Sequence, residues 1–107
     1  MRDSEIPLAP DVDCRVVEQA IDHAISAVRL TTTLRGSLKK YEGCIHRHVK
    51  NGRASGTLEV TLWPQELKAW FTIQKGRRAP WIEGKMKLVR EAIQEHLQAA
   101  YPRAGVS

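Results

Sequence analysis

Apolar residues recur every three to four positions near the start of the chain, at Val16, Val17, Ala20, Ile21, Ala24, Ile25 and Val28. That spacing lines one face of an α-helix and predicts a helix over about 12–29, capped by Asp11 or Asp13. Asp11, Asp13, Glu18 and Asp22 also suit the positive end of its dipole. From Cys44 the period changes to two. Ile45 and Val49 alternate with Cys44, His46 and His48. "NGRASG", residues 51–56, supplies turn chemistry. "TLEVTLW" then places Leu58, Val60 and Leu62 on one face and Thr57, Glu59, Thr61 and Trp63 on the other. After "PQE", "LKAWFTIQ" alternates again, with Leu67, Ala69, Phe71 and Ile73 against Lys68, Trp70, Thr72 and Gln74. A last helical stripe of Ile82, Met86, Val89, Ile93, Leu97 and Ala100 follows Pro80, which suits a first turn, and Pro102 ends it.

The pattern therefore predicts an α+β two-layer sandwich in the order α-β-β-β-α: a three-stranded antiparallel meander with two helices on one face. Residues 1–10, with two prolines and no periodicity, read as a flexible lead-in; 11–102 form a single domain, and 103–107 a C-terminal tail. Residues 30–43 do not decide between states. Leu30, Leu34 and Leu38 recur at intervals of four, as in a helix, while three threonines favour an extended strand. Arg47 breaks the alternation by pointing to the apolar face between Ile45 and Val49, which predicts an edge strand or a bulge there.

Composition sharpens the picture in a few respects. A chain of 107 residues has room for one core. No run approaches the roughly 20 apolar residues of a membrane span, and the polar, acidic N-terminus lacks a signal peptide's apolar run. Two cysteines are too few for a disulfide framework. A cytoplasmic protein with two reduced thiols is the expectation. The formal net charge is +5, unevenly spread: residues 31–90 hold thirteen Lys and Arg against four Glu, whereas residues 1–30 hold three Arg against six acids. A basic middle suits a polyanion, through counterion release from phosphates.

Four constellations carry candidate chemistry. Cys44, His46 and His48 share a strand face, but alternate residues stand about 7 Å apart, so the outer pair are too distant to share one ion. Two of them could share a metal if another strand completed the site, with Glu59 as the candidate, and the paired Cys-x-x-Cys spacing of structural zinc sites is absent. No metal or cofactor is assigned on this basis. The non-core sheet face collects His46, His48, Glu59, Thr61, Trp63, Lys68, Trp70, Thr72 and Gln74, and two tryptophans there suit stacking on the bases of a single strand or a subunit interface. Residues 30–43, the tail or a second subunit are the alternatives for covering them. "GRRAPWIEGKMK", residues 76–87, places Gly76, Arg77 and Arg78 before a helix N-terminus, with Lys85 and Lys87 within two turns, an arrangement that suits phosphate. The element order is also that of double-stranded-RNA-binding domains, without that family's lysine-alanine signature, so no kinship follows. Finally, Glu66–Lys68 has the Glu-x-Lys form of restriction-like nucleases, whose carboxylates hold Mg²⁺, but the only acid on the preceding strand is Glu59.

The function expected from the sequence is a small, non-enzymatic nucleic-acid-binding domain, for DNA or RNA. Its contacts are Lys39, Lys40, Arg47, His48, Lys50, Arg53, Trp63, Lys68, Trp70, Lys75, Arg77 and Arg78, with no catalytic residue assigned. A protein-interaction or homodimerisation module using the same sheet face is the alternative, ahead of the Mg²⁺ nuclease.

Overall fold

In a computed structural model, which describes residues 3–101, the first apolar stripe forms α1 (Cys14–Ala27). Asp13 caps this helix: its Oδ1 accepts a 2.8 Å hydrogen bond from the Arg15 N–H. That bond to the charged carboxylate holds Asp13 below its ordinary pKa. The stripe is buried as Val17, Ala20, Ile21, Ala24 and Ile25. The second stripe forms α2 (Trp81–Ala100), starting directly after Pro80 and burying Ile82, Met86, Val89 and Ile93. The expected stop at Pro102 and the tail 103–107 lie outside the described residues.

The sheet is larger than the meander. Its strands are β1 (Ser4–Ile6), β2 (Thr31–Leu38), β3 (Tyr41–Lys50), β4 (Leu58–Trp63) and β5 (Lys68–Ile73), in the order β1-β5-β4-β3-β2 with every pair antiparallel. The expected three strands are its centre, β3-β4-β5. The two additions come from the segments with the weakest periodicity. Residues 31–38 are a strand, favoured by Thr31, Thr32 and Thr33, and pair with β3 through two register irregularities. Part of the expected flexible lead-in pairs with β5 as Ser4↔Phe71 and Ile6↔Ala69, burying Ile6 under the helices. Backbone pairing, the burial of Ile6 and a 2.7 Å hydrogen bond from Arg90 Nη2 to Ser4 Oγ hold this strand, and none of these leaves a periodic signal in so short a sequence.

Both helices pack on one face, against Val49, Leu58, Val60, Leu62, Ala69, Phe71 and Ile6. Arg47 sits on this same face, 0% exposed. The expected edge or bulge at Arg47 is not what accommodates it. β3 is an interior strand, continuously paired with β4 from Ile45 to Val49; of the two irregularities in its pairing with β2, one adds a residue to β2 between Thr32 and Leu34, and the other adds residues to β3 between Tyr41 and His46, before Arg47. α1 supplies the accommodation: Arg47 Nε donates to Asp22 Oδ1 at 3.0 Å and Nη2 to Glu18 Oε2 at 3.4 Å. Burial lowers the Arg47 pKa from its ordinary value while Asp22 opposes the shift. A guanidinium stays charged even so. No helix among the described residues is long and apolar enough to cross a membrane.

Candidate functional site

Among the described residues no helix packs on the second face of the sheet, and cross-strand register decides which of its side chains meet. His48 stands directly opposite Glu59, and His46 opposite Thr61. Glu59 in turn opposes Thr72, and Thr61 opposes Trp70. Side chains directly opposed in an antiparallel pair stand about 5 Å apart at Cβ, and long side chains also reach their diagonal neighbours. Both histidines consequently reach Glu59. His46 Nε2 lies 3.5 Å from Oε1 and His48 Nε2 lies 3.5 Å from Oε2. The two imidazoles meet edge to face, with ring centroids 5.1 Å apart. His46 Nδ1 shares a 2.8 Å hydrogen bond with Thr61 Oγ1. Burial pulls the His46 pKa below the ordinary imidazole value, against the charge of Glu59 and reinforced by His48.

Tyr41 folds over this face from the start of β3. Its ring packs edge-on against Trp63 at 5.0 Å and Trp70 at 4.9 Å between centroids. Trp63 is also tied down, its Nε1–H donating to the Glu42 carbonyl at 3.0 Å. Trp70 is left only 3% exposed, so it is corrected as a base-stacking surface: its faces are occupied within its own chain. The cover comes from residues 30–43, one of the alternatives open at the sequence level. Beneath it is a cavity of about 360 Å³, lined by Leu38, Lys39, Lys40, Tyr41, His46, Glu59, Thr61, Trp70 and Thr72. A larger cleft of about 920 Å³ between Pro7–Val12 and the end of α2 has Asp11 and Tyr101 as its titratable lining groups among the described residues.

The expected contact residues divide into separate groups. Lys39, Lys40, Lys68 and Trp63 gather at the end of the sheet bearing the β2–β3 and β4–β5 turns, with Lys40 Nζ 5.6 Å above the Tyr41 ring. Lys50, Arg53, Lys75, Arg77 and Arg78 lie at the opposite end. There the β3–β4 and β5–α2 loops are joined by Thr57 N–H to Arg77 C=O (3.0 Å), Gln74 N–H to Thr57 C=O (3.2 Å) and Trp81 Nε1–H to Ser55 C=O (2.7 Å). Arg29 joins this end, because Thr31 two residues later pairs with Lys50. Sequence reasoning left Arg29 out of the site; no local signal links it to residues 50–78, which only the β2–β3 register brings near. His48 lies between the two ends, half-buried beside Glu59. Arg47 is corrected as a phosphate contact, since its side chain is fully buried beneath α1.

Two further motifs resolve by geometry. Cys44 does not join the histidines: its Sγ accepts from the Leu38 N–H at 3.2 Å, inside the β2–β3 hairpin. Glu59 from β4 takes the third place instead, and His46, His48 and Glu59 bring their ligand atoms within 4.8 Å of one another. The Glu66–Lys68 motif does not converge with Glu59. Glu66 lies in the 3₁₀ turn Pro64–Glu66, and Lys68 is separated by four register steps from Thr72, the partner of Glu59, or about 13 Å of strand. No protein-family model, curated protein or solved structure matches the chain.

Proposed function

We propose that this protein is a small non-enzymatic nucleic-acid-binding domain that contacts phosphates through its basic end. The observation that supports this most is the joining of the β3–β4 and β5–α2 loops, which gathers exposed Arg53, Lys75 and Arg77 with Arg29 and half-buried Lys50. Asp3 and Glu83, two acids at this end, are both engaged by Arg78, at 3.9 and 2.8 Å. The acids of the first helix do not offset the charge either. Glu18 and Asp22 face Arg47, and Asp13 lies at the far end, where its N–H donates to Tyr101 Oη at 2.9 Å. Trp70 stays under Tyr41 in this reading, so phosphate contact rather than base stacking provides the affinity, and little sequence preference is expected.

Fluorescence anisotropy with labelled single- and double-stranded DNA and RNA across a salt series tests the proposal. Five phosphate contacts give a log–log slope of about −4.5 on duplex DNA, or roughly a 500-fold loss of affinity from 50 to 200 mM salt. Alanine at Arg53, Lys75 or Arg77 lowers the slope by about 1 each, while alanine at Lys39 and Lys40, at the other end, leaves it unchanged. Absence of binding at low salt, or a slope insensitive to the first three substitutions, overturns the reading.

A further inference from the structure

We propose that His46, His48 and Glu59 form a binding site for a divalent transition metal of the zinc class, with a coordination position left open to the cavity beneath Tyr41. The donor set is two imidazoles and one carboxylate, which suits zinc, cobalt, nickel or copper, whereas magnesium and calcium favour all-oxygen sites. The spacing suits one ion. Bonds of about 2.05 Å in a tetrahedral shell set ligand atoms about 3.4 Å apart. The His46 Nε2–Glu59 Oε1 and His48 Nε2–Glu59 Oε2 separations are both 3.5 Å, and all the ligand atoms lie within 4.8 Å of one another.

The same distances argue against a purely electrostatic His–Glu cluster. Charge-assisted hydrogen bonds close to about 2.7–2.9 Å, and neither imidazole approaches the carboxylate that far. Three ligand groups stand around a point without collapsing onto one another. Their positions are set by two interior strands, β3 and β4, and by the direct His48↔Glu59 pairing. Thr61, 1% exposed, holds His46 by Nδ1 and leaves Nε2 directed at Glu59. Metal-binding histidines are ordinarily held by such an outer hydrogen bond on the second ring nitrogen.

Three protein ligands leave a fourth position unfilled, the arrangement of metal sites that exchange water for an external ligand. Here that position adjoins a cavity that Lys39 and Lys40 also line, so it favours water, hydroxide or an anionic oxygen donor. The site stands apart from the basic end and does not depend on the nucleic-acid reading.

The test uses the full chain without a polyhistidine tag, stripped with chelator, then titrated with Zn²⁺ by calorimetry and with Co²⁺ by visible absorption. One ion per chain is expected, with the strong d–d bands of four- or five-coordinate Co²⁺. His48→Gln and Glu59→Gln each weaken binding by more than about 100-fold, and the outer-shell change Thr61→Val by about 10–100-fold. The His48 side chain is 25% exposed, so its replacement leaves the core intact, as circular dichroism will verify. His23→Gln is the control, because His23 and His96 form the other imidazole pair, with centroids 5.2 Å apart. In the wild-type chain, imidazole ¹H–¹⁵N spectra locate the ion without any variant: Zn²⁺ shifts Nε2 of His46 and His48 and leaves His23 and His96 unchanged. No binding at millimolar metal overturns the proposal, as does binding that follows His23 rather than His48 and Glu59.

Discussion

Arg47 offers a quantitative test of how the helix layer is joined to the sheet. Its side chain is 0% exposed, whereas its partners Glu18 and Asp22 are 23% and 57% exposed. The two sides of this ion pair therefore respond differently to deletion. Glu18→Ala with Asp22→Ala strands a buried guanidinium with no carboxylate. Removing one side of a buried pair costs about 3–5 kcal/mol, and the exposure of Asp22 brings the expectation to about 2–4 kcal/mol. Alanine is a better helix former than aspartate, so weaker helix propensity does not account for the loss. Both acids are changed together, since either one alone still faces Arg47. Arg47→Met leaves two carboxylates that water can reach and removes Nη1, which is buried without a hydrogen-bond partner. That change is expected to fall within about 1 kcal/mol of wild type, or to stabilise, as apolar replacements of buried ion pairs often do. Urea and thermal melts followed by circular dichroism read both variants. At about 4–8 °C per kcal/mol for a domain of this size, the double acid variant melts about 8–32 °C lower and Arg47→Met close to wild type. A larger loss in Arg47→Met than in the double acid variant would refute the reasoning.

Three further outcomes are expected. Gly56 has φ +100°, and a Cβ there meets Ala79 Cβ at 2.6 Å and the Arg77 carbonyl oxygen at 2.9 Å; Gly56→Ala therefore costs at least about 2 kcal/mol in a urea melt, and a wild-type midpoint counts against the close joining of the two basic loops. Tyr41→Ala removes two edge-on aromatic contacts, worth about 1–3 kcal/mol together. It also uncovers Trp70, so fluorescence should shift to the red with stronger acrylamide quenching; unchanged emission would contradict the cover. Burial, with Asp13 adding to it, raises the Cys14 thiol above its ordinary value of 9.0. The nucleophilic thiolate is then scarce at neutral pH, and alkylation of Cys14, followed by peptide mass mapping, should be slow at pH 7 and still accelerating beyond pH 9. A plateau below pH 9 would show the opposite shift.

The sequence by itself determined the two helices, the central β3-β4-β5 meander, and which face of each strand is apolar. These are written in local periodicity, and a residue needs only its near neighbours to express them. It also separated the basic middle of the chain from its acidic start. What it left open was pairing between distant segments. Ser4–Ile6 becomes a strand through backbone bonds to β5, and residues 31–38 take the extended form because β3 offers them an edge. Arg47 reads locally as a misplaced surface charge, and only α1 laid across the sheet supplies Glu18 and Asp22. The row Cys44, His46, His48 is legible in the sequence as a face, yet one strand spaces all three too widely to share an ion, and a third ligand has to come from another strand. Register with β4 sets Glu59 opposite His48, and the β2–β3 hairpin draws Cys44 away. Tertiary structure decided the cluster because strand periodicity fixes only which face a side chain points to, while the pairing of two strands fixes which side chains meet.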